Sequence, residues 1–229
     1  MVLLLIQFAI LGIVIAMIVL WCLYFPFPSP IIRRWLPSRK RWPETQIRRW
    51  LKTGKFQEAF LGYFYRDPER TPPIGNSIIA PADGLVTSAE VRDWVRYLVI
   101  ALSFWDMHVQ RSPVSGSVVK VETKGKDFMD GEGREFAFLR EKPCPVQKRV
   151  LFSTEYGEIA VRLITSLAAR RIEVWVQVKE TVARGQRIGR ILLGSTVVLE
   201  LPATLNLSVL VGERVKAGET VVAREMSPA

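Results

Sequence analysis

Two copies of one pattern, VQVKETVARGQRI at residues 176–188 and VLVGERVKAGETV at residues 209–221, lie 33 residues apart. Each copy reads as a strand, a turn near Glu180 or Glu213, an inward-facing Val, a Gly and a second β-branched run. Glycine suits a turn position that needs positive φ, and Val and Ile suit a pleated, half-buried surface. Two copies are too few for a solenoid, so they predict two related β-hairpins that face each other in a small sandwich.

The sequence around the repeat favours a mainly β (α+β) domain. From about Phe60 onward, short runs of Val, Ile and Leu alternate with Gly, Pro and charged turns. The strand candidates include Asn76–Ile79, Tyr97–Phe104, Ser117–Glu122, Val150–Thr154, Ile159–Thr165, Arg171–Val178, Thr196–Glu200 and Leu205–Val211. Pro43–Phe64 is the best place for one or two helices. The paired hairpins resemble the barrel-sandwich hybrid of lipoyl and biotinyl carriers.

An apolar run at the start of the sequence predicts a transmembrane helix. From Val2 to Tyr24 only Gln7 is strongly polar, and a helix of this length spans about 34 Å, enough for a hydrocarbon core of roughly 30 Å. A cleaved signal peptide would have a charged start and a shorter apolar stretch, so an uncleaved anchor is the better interpretation.

Basic residues follow the apolar run and set its predicted orientation. The nine basic residues before position 60 are Arg33, Arg34, Arg39, Lys40, Arg41, Arg48, Arg49, Lys52 and Lys55. The positive-inside rule then predicts a single-pass anchor in the cell (inner) membrane, with the globular part on the cytoplasmic side. Trp35, Trp42 and Trp50 alternate with these charges, which is typical of a segment on an anionic membrane surface, although a solvated basic linker stays open.

The expected organisation is therefore an anchor at residues 1–25, a basic membrane-surface segment at 26–60 and a catalytic β-rich domain at 61–229. The net charge is +10, from 32 Lys and Arg against 22 Asp and Glu. A nucleic-acid arm would show a similar charge but rarely lies beside a membrane span, so no nucleic-acid partner is expected. With Cys22, Cys144 and one histidine, His108, the sequence excludes a disulfide framework, a cysteine-ligated zinc site and a multi-histidine metal centre, so no metal is expected.

Several motifs in a fixed order suggest a particular chemistry. Between the two repeats lies GRILLGST at residues 189–196, and upstream lie APADG at 80–84 and FWDMHVQRSPVSG at 104–116. Together with FYRDPER at 64–70, ARRI at 169–172, GQRIG at 185–189 and the stretch from Val211 to Ala223, these blocks resemble the phosphatidylserine decarboxylase proenzymes, particularly the short form. The resemblance covers roughly residues 64–223.

The resemblance implies an enzyme that makes its own cofactor from Ser195. The Ser195 hydroxyl would attack the carbonyl of Gly194, and elimination and hydrolysis would leave a pyruvoyl group and two fragments, residues 1–194 and 195–229. Glycine permits close approach to its carbonyl, and the neighbouring hydroxyl is placed to attack it. The new carbonyl would form a Schiff base with the amine of phosphatidylserine, release carbon dioxide and yield phosphatidylethanolamine.

Self-cleavage needs a base, because a serine hydroxyl is a weak nucleophile. His108 is the one histidine available, and an acid would orient its ring, for which the resemblance suggests Asp83. Asp83 read alone could equally be a turn former, and Asp106 a loop cap. Long-form enzymes carry a second histidine where this sequence has Arg111, which is a candidate ligand for the substrate carboxylate or phosphate, or else a member of a salt bridge.

Two other interpretations stay open. One is a decarboxylase of a related serine-headgroup lipid such as archaetidylserine, since the motifs do not report the lipid tails. The other is a membrane-anchored adaptor without enzymatic activity, in which Gly194-Ser195 is an ordinary turn and the chain stays intact. The expected partners of the enzyme are a phospholipid substrate in the membrane and the second cleavage fragment, and a homo-oligomer is left open.

Overall fold

The computed structural model describes residues 2–24, 35–129, 136–166, 171–192 and 195–225, with residues 22–24 and 195 described by their backbone alone. The chain forms two compact units, residues 1–55 and residues 56–229.

The first unit begins with a long apolar helix, α1 (Val2–Tyr24). Its stretch Val2–Trp21 has a mean hydropathy of 3.0, and none of it is buried within the protein. At about 1.5 Å per residue the helix is about 34 Å long, which exceeds the roughly 30 Å of a hydrocarbon core. The expected N-terminal helix that is able to span a membrane is thus confirmed.

Two short helices follow in the first unit, α2 (Ser38–Arg41) and α3 (Glu44–Thr53). The helix α3 ends at Gly54, which adopts a φ of +68° and donates its N–H to the carbonyl of Trp50 at 2.8 Å. A left-handed residue is a common helix terminator, and glycine adopts it without steric cost.

The three tryptophans of the basic segment have different environments. Trp35 is 86% exposed, whereas Trp42 and Trp50 are buried. Among the described part of this segment, Trp35 is therefore the tryptophan whose ring is accessible to a membrane surface. Residues 25–34, which include Arg33 and Arg34, lie outside the described residues.

The second unit opens with α4 (Glu58–Phe64), whose side chains Phe60 and Phe64 are buried. Together α3 and α4 confirm the helices expected within Pro43–Phe64. A 3₁₀ turn, Ala137–Leu139, interrupts the strands that follow.

The rest of the second unit is built of antiparallel strands, which confirms the mainly β class. They are β1 (Ile78–Ile79), β2 (Gly84–Arg92), β3 (Val95–Leu102), β4 (Val109–Arg111), β5 (Gly116–Lys124), β6 (Gln147–Thr154), β7 (Gly157–Ile164), β8 (Arg171–Val174), β9 (Thr181–Val182), β10 (Arg187–Leu192), β11 (Ser195–Pro202), β12 (Asn206–Leu207), β13 (Arg214–Val215) and β14 (Val221–Arg224).

The order of these strands is symmetric about the centre of the large sheet. That sheet runs β13-β2-β3-β11-β7-β6-β5-β9, and two small sheets run β1-β14-β12 and β4-β10-β8. Exchanging β1–β3 with β4–β6, and β7–β10 with β11–β14, maps the central β7–β11 ladder onto itself and every other ladder onto another one. The internal repeat therefore extends over the whole β domain, well beyond the two copies that the sequence pattern indicates.

Equivalent hydrogen bonds support this pseudo-symmetry. The N–H of Gly185 donates to the carbonyl of Ser112 at 2.9 Å. Thirty-three residues later, the N–H of Gly218 donates to the carbonyl of Ala80, also at 2.9 Å. Both glycines have positive φ, +84° and +77°, as the pattern predicts for its turn position. Each copy is thus hydrogen-bonded to its own partner segment, residues 79–86 or residues 111–118.

Two strand predictions extend at least four residues beyond the observed strands at their C-terminal ends. The run Arg171–Val178 is a strand only to Val174, because the chain turns at Lys179, which has a φ of +75°. The run Leu205–Val211 contains only the two-residue β12, since the equivalent turn lies at Gly212, with a φ of +96°. The predicted strands are too long because apolar residues next to these turns, such as Val178 and Val211, continue the strand-like pattern of the sequence.

A buried ion cluster lies on one face of the large sheet. Glu200 of β11 is 5% exposed and pairs with Arg149 at 2.8 Å and with Arg162 at 2.5 Å. Arg162 also donates to the side-chain oxygen of Gln147 at 2.6 Å, and the ring of Phe138 lies 5.2 Å from its guanidinium. Gln147 is thus part of the internal packing.

The substitution Glu200→Ala is expected to lower the free energy of unfolding by about 3–5 kcal/mol, because it leaves the buried guanidinium of Arg162 without its carboxylate partner and Arg149 with Glu122 alone. Urea unfolding of the full chain in detergent micelles measures the change. The matched control is Glu90→Ala, since Glu90 pairs with Arg92 on the surface, where both side chains are about half exposed. The control is expected to cost less than about 1 kcal/mol, and equal losses in both variants would contradict the account.

Candidate active site

The ends of β10 and β11 are both attached to one segment, residues 102–109. Ser195, the first residue of β11, is the register partner of Leu102 at the end of β3. Arg190 of β10 is the register partner of Val109, and the N–H of Ile191 donates to the carbonyl of His108 at 3.2 Å. Leu193 and Gly194 lie outside the described residues, so of the expected cleavage site the structure describes the backbone of Ser195.

Asp106 organises the loop that leads from β3 to His108. One carboxylate oxygen accepts both the N–H and the hydroxyl of Ser103, each at 2.7 Å, and the other pairs with Arg214. The loop is also held from α4, because the carbonyl of Trp105 accepts the hydroxyl of Tyr63 at 3.0 Å. Asp106 is therefore a loop cap, the role that the sequence suggests for it.

His108 is a buried, neutral imidazole. It is 3% exposed, and its ring centroid lies 4.1 Å from that of Phe64. Nδ1 lies 3.0 Å from the carbonyl oxygen of Asp106, and because a carbonyl only accepts, Nδ1 carries the proton and Nε2 the lone pair. Burial lowers the pKa of His108 to about 4, although the Asp106 carbonyl opposes this shift. At neutral pH the ring is able to accept a proton at Nε2.

A narrow crevice opens beside the histidine ring. Its lining consists of Phe64, Tyr65, His108, Val109, Arg190, Ile191 and Leu192. Most of these side chains are apolar, and Arg190 is the one among them that carries a positive charge. An apolar wall next to a neutral base favours reactions in which charge is lost, since charged ground states are poorly solvated there.

Asp83 is buried and held by two neighbours. It accepts the N–H of Ala217 at 2.8 Å and pairs with Arg70 at 3.1 Å. Desolvation by burial raises the pKa of this carboxyl, against the lowering effects of the Ala217 N–H and the Arg70 charge. At the symmetry-related position, the hydroxyl of Ser115 accepts the N–H of Arg184 at 3.1 Å. The hydrogen bond from the Ala217 N–H to Asp83 therefore has a counterpart in the other half of the pseudo-symmetric domain.

The described contacts of Asp83 reach the histidine segment indirectly. Its partner Arg70 also lies 3.4 Å from the sulfur of Met107, the residue before His108. The structure thus brings Asp83 and His108 to the same region, with Arg70 between the carboxylate and the segment. A direct pairing of Asp83 with His108 stays a prediction. Sequence reasoning did not single out Arg70 by itself, although it lies in the 64–70 block.

The Arg111 side chain is buried and donates three hydrogen bonds within the protein. It pairs with Asp67 at 2.9 Å and donates to the carbonyls of Pro68 and Gly185, both at 3.1 Å. These contacts join the 64–70 block to the first copy of the repeat, in agreement with the salt-bridge interpretation. A role in substrate binding stays a prediction.

In the described ranges, no group of three or more His, Cys, Asp or Glu side chains is placed to hold a metal ion. Cys144 is buried, and its sulfur lies 3.0 Å from the side-chain nitrogen of Gln147, within the ion cluster and away from the crevice lining.

Comparison with known proteins gives a consistent result. The family model for phosphatidylserine decarboxylase matches residues 57–223. A protein of Archaeoglobus fulgidus named "Putative archaetidylserine decarboxylase proenzyme" is 39% identical over 168 residues, covering 73% of this chain and 80% of its own length. Phosphatidylserine decarboxylase proenzymes of Desulfotalea psychrophila and Solibacter usitatus are 36% and 32% identical, covering 72% and 73% of this chain and 78% and 79% of their own lengths.

Proposed function

The chain belongs to the phosphatidylserine decarboxylase family, and from this premise we propose that it cleaves itself between Gly194 and Ser195 and then decarboxylates phosphatidylserine to phosphatidylethanolamine. The pyruvoyl group made from Ser195 would be its cofactor. The observation that carries the proposal is the attachment of both Ile191 and Ser195 to residues 102–109, which contain the buried, neutral His108.

The proposed self-cleavage uses His108 as the base. Nε2 takes the hydroxyl proton of Ser195 while Oγ bonds to the carbonyl carbon of Gly194, and the peptide C–N bond breaks as its nitrogen takes up that proton. The resulting ester loses the Gly194 carboxylate by elimination, in which a proton leaves the Cα of Ser195. One water then hydrolyses the dehydroalanine and releases ammonia. The bond from Nδ1 to the Asp106 carbonyl keeps the lone pair of the ring on Nε2.

The crevice beside His108 would suit the chemistry of the proposed cofactor. A pyruvoyl group formed at Ser195 would supply an electron-accepting carbonyl for the loss of carbon dioxide. The crevice beside His108 is lined by Phe64, Val109 and Ile191, so the carboxylate would enter an apolar environment and lose its charge there. His108 would relay a proton from water to the carbon that has lost the carboxylate.

The strand order explains how the two fragments would stay together. The fragment 195–229 contains β11, which pairs over its full length with β3 and also pairs with β7. Because β11 is an interior strand of the large sheet, cleavage at its first residue leaves its ladders intact. We propose that the processed enzyme is a tight heterodimer of residues 1–194 and 195–229.

The helix α1 would hold the enzyme at its substrate. A phospholipid does not readily leave the bilayer, and a helix able to span it would tether the chain to the membrane that contains the substrate. The basic residues after α1 support an orientation with the catalytic domain on the cytoplasmic side of the inner membrane, where they would also attract anionic lipids.

A second substrate is favoured by a specific observation, since the relative from Archaeoglobus fulgidus carries the name of an archaetidylserine decarboxylase. The test measures carbon dioxide release from vesicles that contain either phosphatidylserine or archaetidylserine, each labelled at the carboxyl carbon. We expect release from phosphatidylserine vesicles. Release from archaetidylserine alone would assign the second substrate, and no release from either would contradict the proposed function.

A further inference from the structure

Arg190 lies beside His108 at the crevice but is partly open to solvent. It is the register partner of Val109, and its side chain is 33% exposed. The other arginines near the segment are occupied, since Arg66 donates to the carbonyls of Tyr63 and Trp105, and Arg111 is buried in its contacts. Arg190 is therefore the charged side chain that a molecule entering the crevice would meet.

One edge of the Arg190 guanidinium is fixed and the other is available. Nε donates to Glu173 at 2.6 Å. Within the described residues, neither terminal nitrogen of Arg190 has a hydrogen-bond acceptor. Glu173 is itself held by Arg171 at 3.1 Å, which keeps the carboxylate in place. A guanidinium anchored through Nε presents a prearranged pair of donors, the geometry that suits a phosphate or carboxylate.

Two aromatic rings frame this guanidinium. Its carbon lies 5.1 Å from the ring centroid of Tyr65 and 5.8 Å from that of Trp175. Both rings are 43% exposed. Half-exposed tyrosine and tryptophan favour the headgroup layer of a bilayer, where one part of the ring is wet and the other apolar. The cation and the rings thus form a surface suited to an anionic lipid headgroup.

We propose that Arg190 binds the phosphodiester of the substrate headgroup, an inference that rests on the proposed function. The phosphate keeps its negative charge throughout the reaction, whereas the carboxylate must lose its charge. A cation on the carboxylate would stabilise the ground state and slow the loss of carbon dioxide. A cation on the phosphate binds the ground state and the transition state equally, and so contributes to affinity alone.

The test compares the steady-state kinetics of Arg190→Gln and wild type on phosphatidylserine vesicles of neutral background lipid. Loss of a charge-assisted contact is expected to raise KM about 10- to 100-fold, while kcat changes by less than about threefold. Arg190→Lys is expected to be intermediate, because it keeps the charge without the planar fork. The matched control is Arg92→Gln, since Arg92 also pairs with one glutamate and lies over an aromatic ring, at the far end of the β2–β3 hairpin.

The outcomes separate this inference from the proposed function. Self-cleavage and turnover of the wild-type chain test the proposed function. The kinetics of Arg190→Gln are then compared with the wild-type turnover and test only the role of Arg190. An unchanged KM, or a loss confined to kcat, would overturn the role of Arg190. Soluble glycerophosphoethanolamine should inhibit wild type more strongly than Arg190→Gln. If inorganic phosphate inhibits as strongly and with the same dependence on Arg190, the site takes the free anion and the headgroup assignment is wrong.

Discussion

The substitution Ser195→Ala is expected to leave a single uncut chain with no decarboxylase activity. Without the hydroxyl no ester with Gly194 forms, and without Ser195 no pyruvoyl group is made. Since the proposed cofactor would supply the electron-accepting carbonyl, the loss of activity should reach the background of the assay. A denaturing gel of the purified full chain and carbon dioxide release from phosphatidylserine vesicles measure the two effects.

The neighbouring hydroxyl provides the matched control. Thr196 follows Ser195 in β11 and pairs in register with Ala101 and Ile164. Thr196→Ala removes a hydroxyl from the same strand, and we expect it to split and to turn over substrate within about threefold of wild type. Normal splitting of Ser195→Ala would show that another residue is the nucleophile, and the proposed cleavage site would be wrong.

The substitution His108→Gln is expected to slow self-cleavage, decarboxylation or both by a factor of about 10² to 10⁴, the usual contribution of a general base. Glutamine fills much of the space of the ring against Phe64 but does not accept a proton. The splitting rate of freshly synthesised chain and the turnover of the processed enzyme measure the two steps separately. In His108→Ala, added imidazole should restore part of the lost rate, which a purely structural role would not explain.

The pH dependence supplies a second readout for His108. Because burial lowers the pKa of His108 to about 4, the ring is neutral from pH 8 down to about pH 5, and the cleavage rate should be flat over that range. The rate should fall as the pH approaches 4, where the ring is protonated. The unfolded chain, with a histidine pKa near 6.5, binds the proton first, so His108 also lowers stability between about pH 6.5 and pH 4. A rate that rises on acidification would contradict the assignment.

Part of the fold could be predicted because its signals are local. The apolar run of α1 and the glycines of the two repeat copies determine their own conformations, through hydrophobicity and positive φ. The extension of the repeat was missed, although a weak signal exists in Pro81-Ala82-Asp83-Gly84 and Pro113-Val114-Ser115-Gly116, 32 residues apart. These segments share little besides the Pro and the Gly, because their other side chains contact different neighbours.

The sequence indicates candidate residues for the site but not their geometry. Motif order indicated Ser195 and His108, yet the register that sets Ser195 opposite Leu102 depends on long-range strand pairing. The contacts of Asp83 with Arg70 and Ala217 depend on segments that meet only in the folded chain. Arg190 lies within a motif noted from the sequence, but its position at the crevice emerges only when β10 pairs with β4.

Intact-mass analysis of the purified full chain under denaturing conditions tests the central claim most directly. The account predicts two species, residues 1–194 and residues 195–229, the second lighter by one ammonia than a chain that begins with serine. A single species with the mass of the whole uncut sequence would contradict the claim, and would favour a membrane-anchored protein that keeps the fold of this family without its self-cleavage.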